Sequence, residues 1–505
     1  MRDRLAVVVA LCALLAQSRP ARAEEPPPEA PATEPEQPPP PVDEVFPPAP
    51  EEPLQKDSEF GPLIMIESIE VVGNTATQTE LIRRTLPLQV GDVLHASDKR
   101  LREARFKVLA LGFFRDVTLA MRKGGERGQV ILEVRVVERG TVVLNRLWFG
   151  RSNISPYWLG ADVGERNLLG LGVGVGMGFI FAAKGDVEGG RNQWATELRA
   201  SDPSLLGTRL GASGSFTLVH GSESYRITGD PQHVEADDLR GFSYRRIGAR
   251  AGVTYDVTAL SRLSAGMRAE SIVAELPVAP TLERPDGRVS AIDLHLEPGE
   301  SRVVSGNITF DRDTRPDPIL PHAGGHVTVS AELGSSLLGG SYEFATLFGR
   351  YEHYWPLLGG KHVIGFKVSG GVVIGGAPQF DRIHIADVNR MLTPHAFGLV
   401  LSAAAPLDIL GTRADKPTYG DIGGSANLEY AFELFRGSGK KRVYGGDLFF
   451  GAGLWGLGEH SDLRARDASL YDALPIDIYA DAGVRIDTDV GVFEVTIANA
   501  LGRLR

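Results

Sequence analysis

Between Leu171 and Phe181, large apolar residues alternate with glycine: Leu171, Val173, Val175, Met177, Phe179 and Phe181 are interleaved with Gly172, Gly174, Gly176 and Gly178. A repeat of two residues is the period of a β-strand, whose successive side chains point to opposite faces. One face is therefore oily and the other bare. A bare face offers nothing to a packed core, but it costs nothing where it looks into a lumen. The pattern recurs from about Val142 to the end of the chain, with no helical segment of convincing length. Val304, Gly306, Ile308 and Phe310 alternate with Val303, Ser305, Asn307 and Thr309. Val327, Val329, Ala331 and Leu333 alternate with His326, Thr328, Ser330 and Glu332. A charged turn rich in Pro and Gly joins these two strands into a hairpin. Lipid outside and a polar interior inside is the pattern of a transmembrane β-barrel, because only a closed barrel satisfies strand hydrogen bonds within a bilayer. The predicted fold class is mainly β: a small α/β domain followed by a transmembrane antiparallel barrel of about 16 strands.

Composition excludes several other classes. A formal net charge of -11 leaves no electrostatic footprint for nucleic acid. No run of 18 apolar residues follows the N-terminal segment, so no bundle of membrane-spanning helices is expected. At the N-terminus, Arg2 and Arg4, an apolar run from Leu5 to about Ala16, and Ala21-Arg22-Ala23 read as a secretory signal peptide over residues 1–23. The only cysteine, Cys12, lies in that run, so the mature chain can form no disulfide. Residues 24–62 are acidic and Pro-rich with almost no large apolar side chains, which predicts an extended, disordered linker, either a spacer or a docking segment.

Residues 63–140 read as the α/β domain. Ile64, Ile66, Ile69 and Val71 form a strand that ends at Gly73-Asn74, and Thr77 with Glu80 forms a capping box before Leu81, Ile82 and Leu86. A second helix begins after Ser97 or Asp98, carries Leu101, Ala104, Val108 and Leu111 on one face, and is closed by Gly112. Two strands follow, giving the order β-α-α-β-β. Of the five tryptophans, Trp148, Trp158, Trp194, Trp355 and Trp455, all fall in the barrel region, where aromatics near strand ends form interface belts. Core packing in a soluble β protein is the competing account of them.

The α/β domain resembles the polypeptide-transport-associated (POTRA) domain. The matching positions are Gly73-Asn74, Gly91-Asp92, Leu111-Gly112-Phe113-Phe114 with Asp116-Val117, and the closing Val134 to Glu138. The resemblance implies a domain that receives unfolded polypeptide substrates or partner proteins by strand addition, or one that serves only as a spacer. The region after it resembles the barrel of the outer-membrane protein assembly and translocation superfamily, BamA- and TamA-like, also described as a bacterial surface antigen barrel. Gly164 to Gly170 and Asp202 to Gly207 are similar to its early strand and turn signatures. Asp311, Asp313 and Arg315 through Pro321 and Gly324 resemble its hairpin motif, and Gly423-Gly424-Ser425 leads into the strand after its large inward loop.

Three departures qualify the resemblance. The family's inward loop carries an aliphatic, Arg, Gly, aromatic motif whose arginine pairs with a strand carboxylate. The best match here is Pro394-His395-Ala396-Phe397, and the strand expected to hold the acid reads Phe449-Phe450-Gly451-Ala452-Gly453. The lock is then either abandoned or rebuilt, and a charged His395 would have Glu429 or Asp447 as its lumen partner. The last departure is at the C-terminus, where about fifteen candidate strands are found although bacterial single-chain barrels usually have an even number. That count predicts a missing strand, a truncated sequence or an unconventional closure.

No enzymatic signature survives inspection. Gly451-Ala452-Gly453-Leu454-Trp455-Gly456 fits G-x-G-x-x-G but lies within an alternating strand, and Gly439-Lys440 lacks the rest of a phosphate loop. His384 and His395 read as loop histidines rather than metal ligands, and no cofactor is expected. The expected protein is a non-catalytic outer-membrane barrel at 141–505 with a periplasmic POTRA domain and linker, assisting insertion or translocation of other polypeptides. The alternatives are a degenerate barrel acting as a scaffold or pore, and a two-partner secretion type transporter. Its expected partners are outer-membrane lipid, unfolded polypeptides or periplasmic proteins, and no nucleic acid.

Overall fold

The computed structural model describes residues 63–503, apart from 96–97, 206–207, 229–234, 259, 284–286, 389–393, 404–417, 437–441 and 461–475. The expected signal peptide and linker lie outside the described residues.

The N-terminal domain comprises β1 (Leu63–Val72), α1 (Thr79–Thr85), β2 (Val93–His95), α2 (Lys99–Ala110), β3 (Phe114–Lys123) and β4 (Gln129–Glu138). Its sheet has the order β2-β1-β4-β3, with β1 and β4 parallel. The short β2 between the helices was not anticipated; three residues are too few to show a period. Leu81 and Ile82 of α1, and Leu101, Ala104 and Val108 of α2, are buried with Ile66, Ile69, Val117 and Val134 of the strands. Phe113 and Phe114 join this core at 2 % and 4 % exposure, seating the end of α2 against the sheet. Leu111 is only half-buried, since it caps the helix rather than continuing its inner face. Gly73, at φ +93°, is required: a Cβ there would run into the Val136 carbonyl oxygen. The expected Thr77/Glu80 capping box does not form. Helix α1 starts one residue later than a Thr77 cap requires, behind Gln78, which makes no side-chain cap. Asp98 does cap α2, accepting from the Arg100 N–H.

The second region is one sheet of fifteen strands in sequential antiparallel order, except where short loop strands intervene. Its strands are β5 (Val142–Gly150), β6 (Trp158–Leu168), β7 (Val173–Ala182), β8 (Gln193–Asp202), β9 (Leu210–Arg226), β10 (Leu239–Thr258) and β11 (Ser261–Glu275). After the loop hairpin of β12 (Thr281–Glu283) and β13 (Val289–Ala291) come β14 (Gly299–Asp313), β15 (Gly324–Gly334), β16 (Phe344–Leu357) and β17 (His362–Gly375). A long loop then holds β18 (Ile383–His384), α3 (Ile385–Val388), β19 (His395–Ala396), β20 (Leu399–Val400) and β21 (Tyr419–Gly420). The wall resumes with β22 (Ile422–Arg436), β23 (Val443–Gly458), β24 (Ile476–Thr488) and β25 (Gly491–Arg503).

Fifteen wall strands among the described residues replace the expected sixteen, so β5 and β25 run in the same direction. They form no ladder with each other, but the Leu144 N–H donates to the Val490 carbonyl at 2.7 Å, which brings the sheet round at its base. Odd-numbered Val175, Met177 and Phe179 are exposed outward, while the glycines between them face inward, as the alternation requires. Tryptophan placement is more mixed than expected. Trp194 and Trp355 are exposed on the outer surface, whereas Trp158 and Trp455 are buried, because their inward parity outweighs their position near strand ends.

A charge placed on the buried face of α2 tests the assignment of the small domain. Val108→Asp should unfold it at a cost of several kcal/mol, whereas Leu111→Asp, at a half-buried position, should cost distinctly less. Comparing thermal melts of the two variants with the parent checks this order.

Candidate functional site

The small domain is bonded to one end of the barrel. Glu138, the last residue of β4, accepts from Thr75 N–H (2.8 Å) and Oγ1–H (2.6 Å), Ala76 N–H (3.0 Å) and Thr77 N–H (2.7 Å). Burial alone would raise this carboxyl, but the converging donors outweigh it and hold the group down at about 2. The loop shaped in this way then meets the β6–β7 turn. Asn167 Nδ2 donates to Thr77 Oγ1 at 2.9 Å, the Gln78 N–H donates to the Gly170 carbonyl at 3.0 Å, and Gly172 lies against the Leu81 side chain. A second attachment joins Arg139 Nη2 to Asp487 at 3.0 Å, with both side chains largely buried. Across the opening, Lys107 of α2 faces Asp256 of β10 at 4.0 Å.

From the other end, the long loop between β17 and β22 folds into the lumen. Phe397 occupies the bare face of β7, where a Cβ on Gly178 would run into its ring, and it packs on Trp148 with ring centroids 5.2 Å apart. Asp381 of the loop accepts two hydrogen bonds from Arg268 of β11, one at 2.8 Å through Nη1 and the other through Nη2. The side chains of this pair are 5 % and 12 % exposed. Arg246 of β10 pairs with Glu270 and lies 3.6 Å from the Phe380 ring centroid. Buried Glu223 accepts from Tyr244 Oη (3.0 Å), Tyr419 Oη (3.2 Å) and Gln379 Nε2 (3.2 Å), tying the wall to both arms of the loop. Above these contacts Ile383, Ile385 and Val388 pack with Trp455, Leu457 and Tyr342, closing the end of the barrel away from the small domain.

The sequence-singled residues distribute as follows. His395 stacks on His384 with ring centroids 4.1 Å apart, and Ala396 is buried beside it, while Pro394 precedes β19. Neither carboxylate named for His395 is bonded to it among the described residues. Glu429 is held by Lys367 (2.7 Å) and by both terminal nitrogens of Arg485 (2.7 and 2.5 Å). Asp447 sits on the adjacent β23 with one buried oxygen lacking a hydrogen bond. In the hairpin motif, Asp313 is bonded to Arg315 (2.9 and 2.7 Å), which also reaches Glu352 at 3.2 Å. Asp311 pairs with His326 at 2.7 Å, Gly324 takes φ +82°, and Pro321 lines a polar lumen cavity of about 560 Å³. The anchoring pair Arg268–Asp381 was missed. Its only sequence signal was an inward-phase arginine among Ser264, Gly266 and Glu270, with nothing to point to a partner in the loop.

A lipid-facing barrel with its lumen occupied by its own loop and a periplasmic α/β domain bonded to its base defines a class of outer-membrane assembly and translocation proteins. The chain belongs to the Omp85 superfamily: residues 167–505 match the Omp85 superfamily domain, and residues 64–139 match the POTRA family described as the surface antigen variable number repeat. It is an outer-membrane protein whose POTRA domain is periplasmic. The outer membrane protein assembly factor BamA of Nitratidesulfovibrio vulgaris is 22% identical over 332 residues, covering 65% of this chain and 37% of that protein. The BamA of Neorickettsia risticii is 39% identical over 80 residues, 16% of this chain and 10% of that protein. The chain thus spans well under half the length of these relatives. Among solved structures, CdiB from Escherichia coli superposes with a TM-score of 0.55 at 12% identity, covering 87% of this chain and 73% of that one, a likeness of fold alone.

Two expectations follow from these contacts. Because the Glu138 carboxyl is held down by its donors, its contribution is complete above the ordinary carboxyl range near 4.5 and is lost as pH falls toward about 2. Glu138→Gln should therefore destabilise the POTRA domain by about 1 kcal/mol at neutral pH, and the difference in melting should shrink as pH drops below 4.5. In the lumen, Arg268→Ala and Asp381→Ala should each cost about 3 kcal/mol, while the double variant should cost much less than their sum. Thermal melting of the POTRA domain at pH 7 and at pH 3 measures the first; urea unfolding of the reconstituted barrel, read by loss of its heat-modifiable gel form, measures the second.

Proposed function

We propose that this protein assists the insertion or translocation of other polypeptides at the outer membrane and that it does so without catalysis. The observation that carries the reading is the joining of one POTRA domain to the periplasmic mouth of an Omp85 barrel whose opposite end is filled by its own bonded loop. A static open pore fits poorly with that filled end, since charged and apolar anchors hold the loop in place. The POTRA sheet presents β3 as an edge strand, paired on one side with β4. An extended segment of a substrate or partner would add to that edge through main-chain hydrogen bonds, as exposed sheet edges allow. Two lumen cavities, about 500 and 560 Å³, the second bordered by Asp387 and Val388 of the loop, are lined by charges of both signs that would favour hydrated, extended chain over folded domains.

A two-partner secretion role is the second reading, favoured by the fold likeness to CdiB. Depletion separates the two. Under the first reading, several heat-modifiable outer-membrane proteins should fall when this chain is removed; under the second, a secreted polypeptide should accumulate in the periplasm. Unchanged outer-membrane and secreted proteomes would refute both.

A further inference from the structure

The outer surface of the wall carries a basic cluster near the end of the barrel away from the small domain. On β10 the outward positions Tyr255, Val253, Ala251, Ala249 and Ile247 are free of charge, and the next outward position is Arg245. Strand β9 ends its apolar series in the same way, with Leu218 followed by His220, and β14 does so with Val304 followed by Arg302. Register sets these residues side by side. His220 lies opposite Arg245 on one side and Trp194 on the other, while Arg302 lies one row lower, opposite Ser271, which itself faces Ile247. The His220 and Trp194 rings are stacked at 6.3 Å with 17° between planes. Arg191 closes the cluster from above, its N–H bonded to Ser222 at 2.9 Å and its guanidinium to Glu275 at 2.7 Å.

Depth in the membrane follows from the POTRA contact. Asp256, which faces Lys107, marks the periplasmic end of β10, and Arg245 is eleven residues further along the strand. At ~3.3 Å per residue and a tilt of ~40°, that is ~28 Å along the membrane normal, just beyond an apolar band ~25 Å tall. Arg245 therefore stands at the head groups of the outer leaflet, and Arg302, one row lower at the edge of the apolar band, reaches them with its long side chain. The Arg245 and Arg302 side chains are exposed and make no ion pair among the described residues. The acids nearby are Glu300, level with Arg245 on β14, and Glu275, one row above and already held by Arg191. Across the barrel, the outward upper ends of β17, β22 and β24 carry Ile374, Ile422 and Ile478 instead of cations.

We propose that Arg245, Arg302 and His220 bind the phosphate groups of a lipid head group in the outer leaflet, with its acyl chains against the uncharged stripe of β10. Guanidinium forks match phosphate oxygens in pairs, and an exposed Trp at this level is a common interface anchor. The inference needs only the membrane placement of the barrel and stands apart from its transport role.

The test uses the full chain in detergent micelles, with thermal loss of the heat-modifiable form as the readout. Diphosphoryl lipid A should raise the melting midpoint of the parent. The same lipid stripped of phosphate, or inorganic phosphate alone, should do so far less. Arg245→Gln/Arg302→Gln should lose more than half of the shift, and Arg245→Lys/Arg302→Lys should keep part of it. An undiminished shift in the Gln variant, or an equal shift from dephosphorylated lipid or from inorganic phosphate, overturns the proposal. Should the double variant fold poorly, the single variants and His220→Ala are read on the same scale, and undiminished shifts in all three would be equally decisive against it.

Discussion

Inside a hydrocarbon layer no water is available to bond an unpaired peptide group, and the whole architecture follows from that fact. Among the described residues, fifteen successive strands pair with their neighbours, leaving β5 and β25 without a ladder between them. Because those two run in parallel, the alternating antiparallel scheme cannot continue across them. At their base the Leu144 N–H donates to the Val490 carbonyl. The same solvent rule divides side chains by parity, sending Val175, Met177 and Phe179 outward and leaving the facing glycines to the lumen.

The inward face then has to be reconciled with the loop that fills it. Removing charge from water is costly unless it is paired and hydrogen-bonded, and the lumen meets that condition with the wall supplying cations and the loop supplying an anion. Arg268 grips Asp381, Arg246 is balanced by Glu270 and covered by Phe380, and Glu223 is satisfied by two tyrosines and Gln379. Phe397 uses the room that Gly178 leaves. A glycine-lined strand and a large inserted loop are thus parts of one arrangement, since side chains on β7 would exclude the ring that packs there.

At the periplasmic end, one carboxylate links two domains. Glu138 gathers the backbone of residues 75–77, and that loop presents Thr77 and Gln78 to the β6–β7 turn. The POTRA orientation at this point therefore depends on bonds made through a loop that has little regular structure of its own. Thr77 does not cap α1, which starts behind Gln78; its hydroxyl accepts from Asn167 of the barrel instead.

Local chemistry determined what was legible in the chain alone. Strand alternation is a property of neighbouring residues, so the barrel class, the strands around Val304 and Val329, the POTRA helices and the required turn at Gly73 could all be read from order and residue type. The apolar stripe marks which face meets lipid for the same reason. Tertiary structure alone decided which charges meet. Arg268 and Asp381 are 113 residues apart, and their meeting depends on strand register, closure of the sheet and the path of the loop, none of which leaves a periodic trace. The same holds for Glu429, drawn to Lys367 and Arg485 rather than to His395, and for Trp158 and Trp455, turned inward near strand ends where composition suggested a membrane belt. Sequence specified the faces of each strand because that choice has a period of two; the pairings inside the lumen were settled only when the wall curved round and brought distant inward residues within hydrogen-bonding distance.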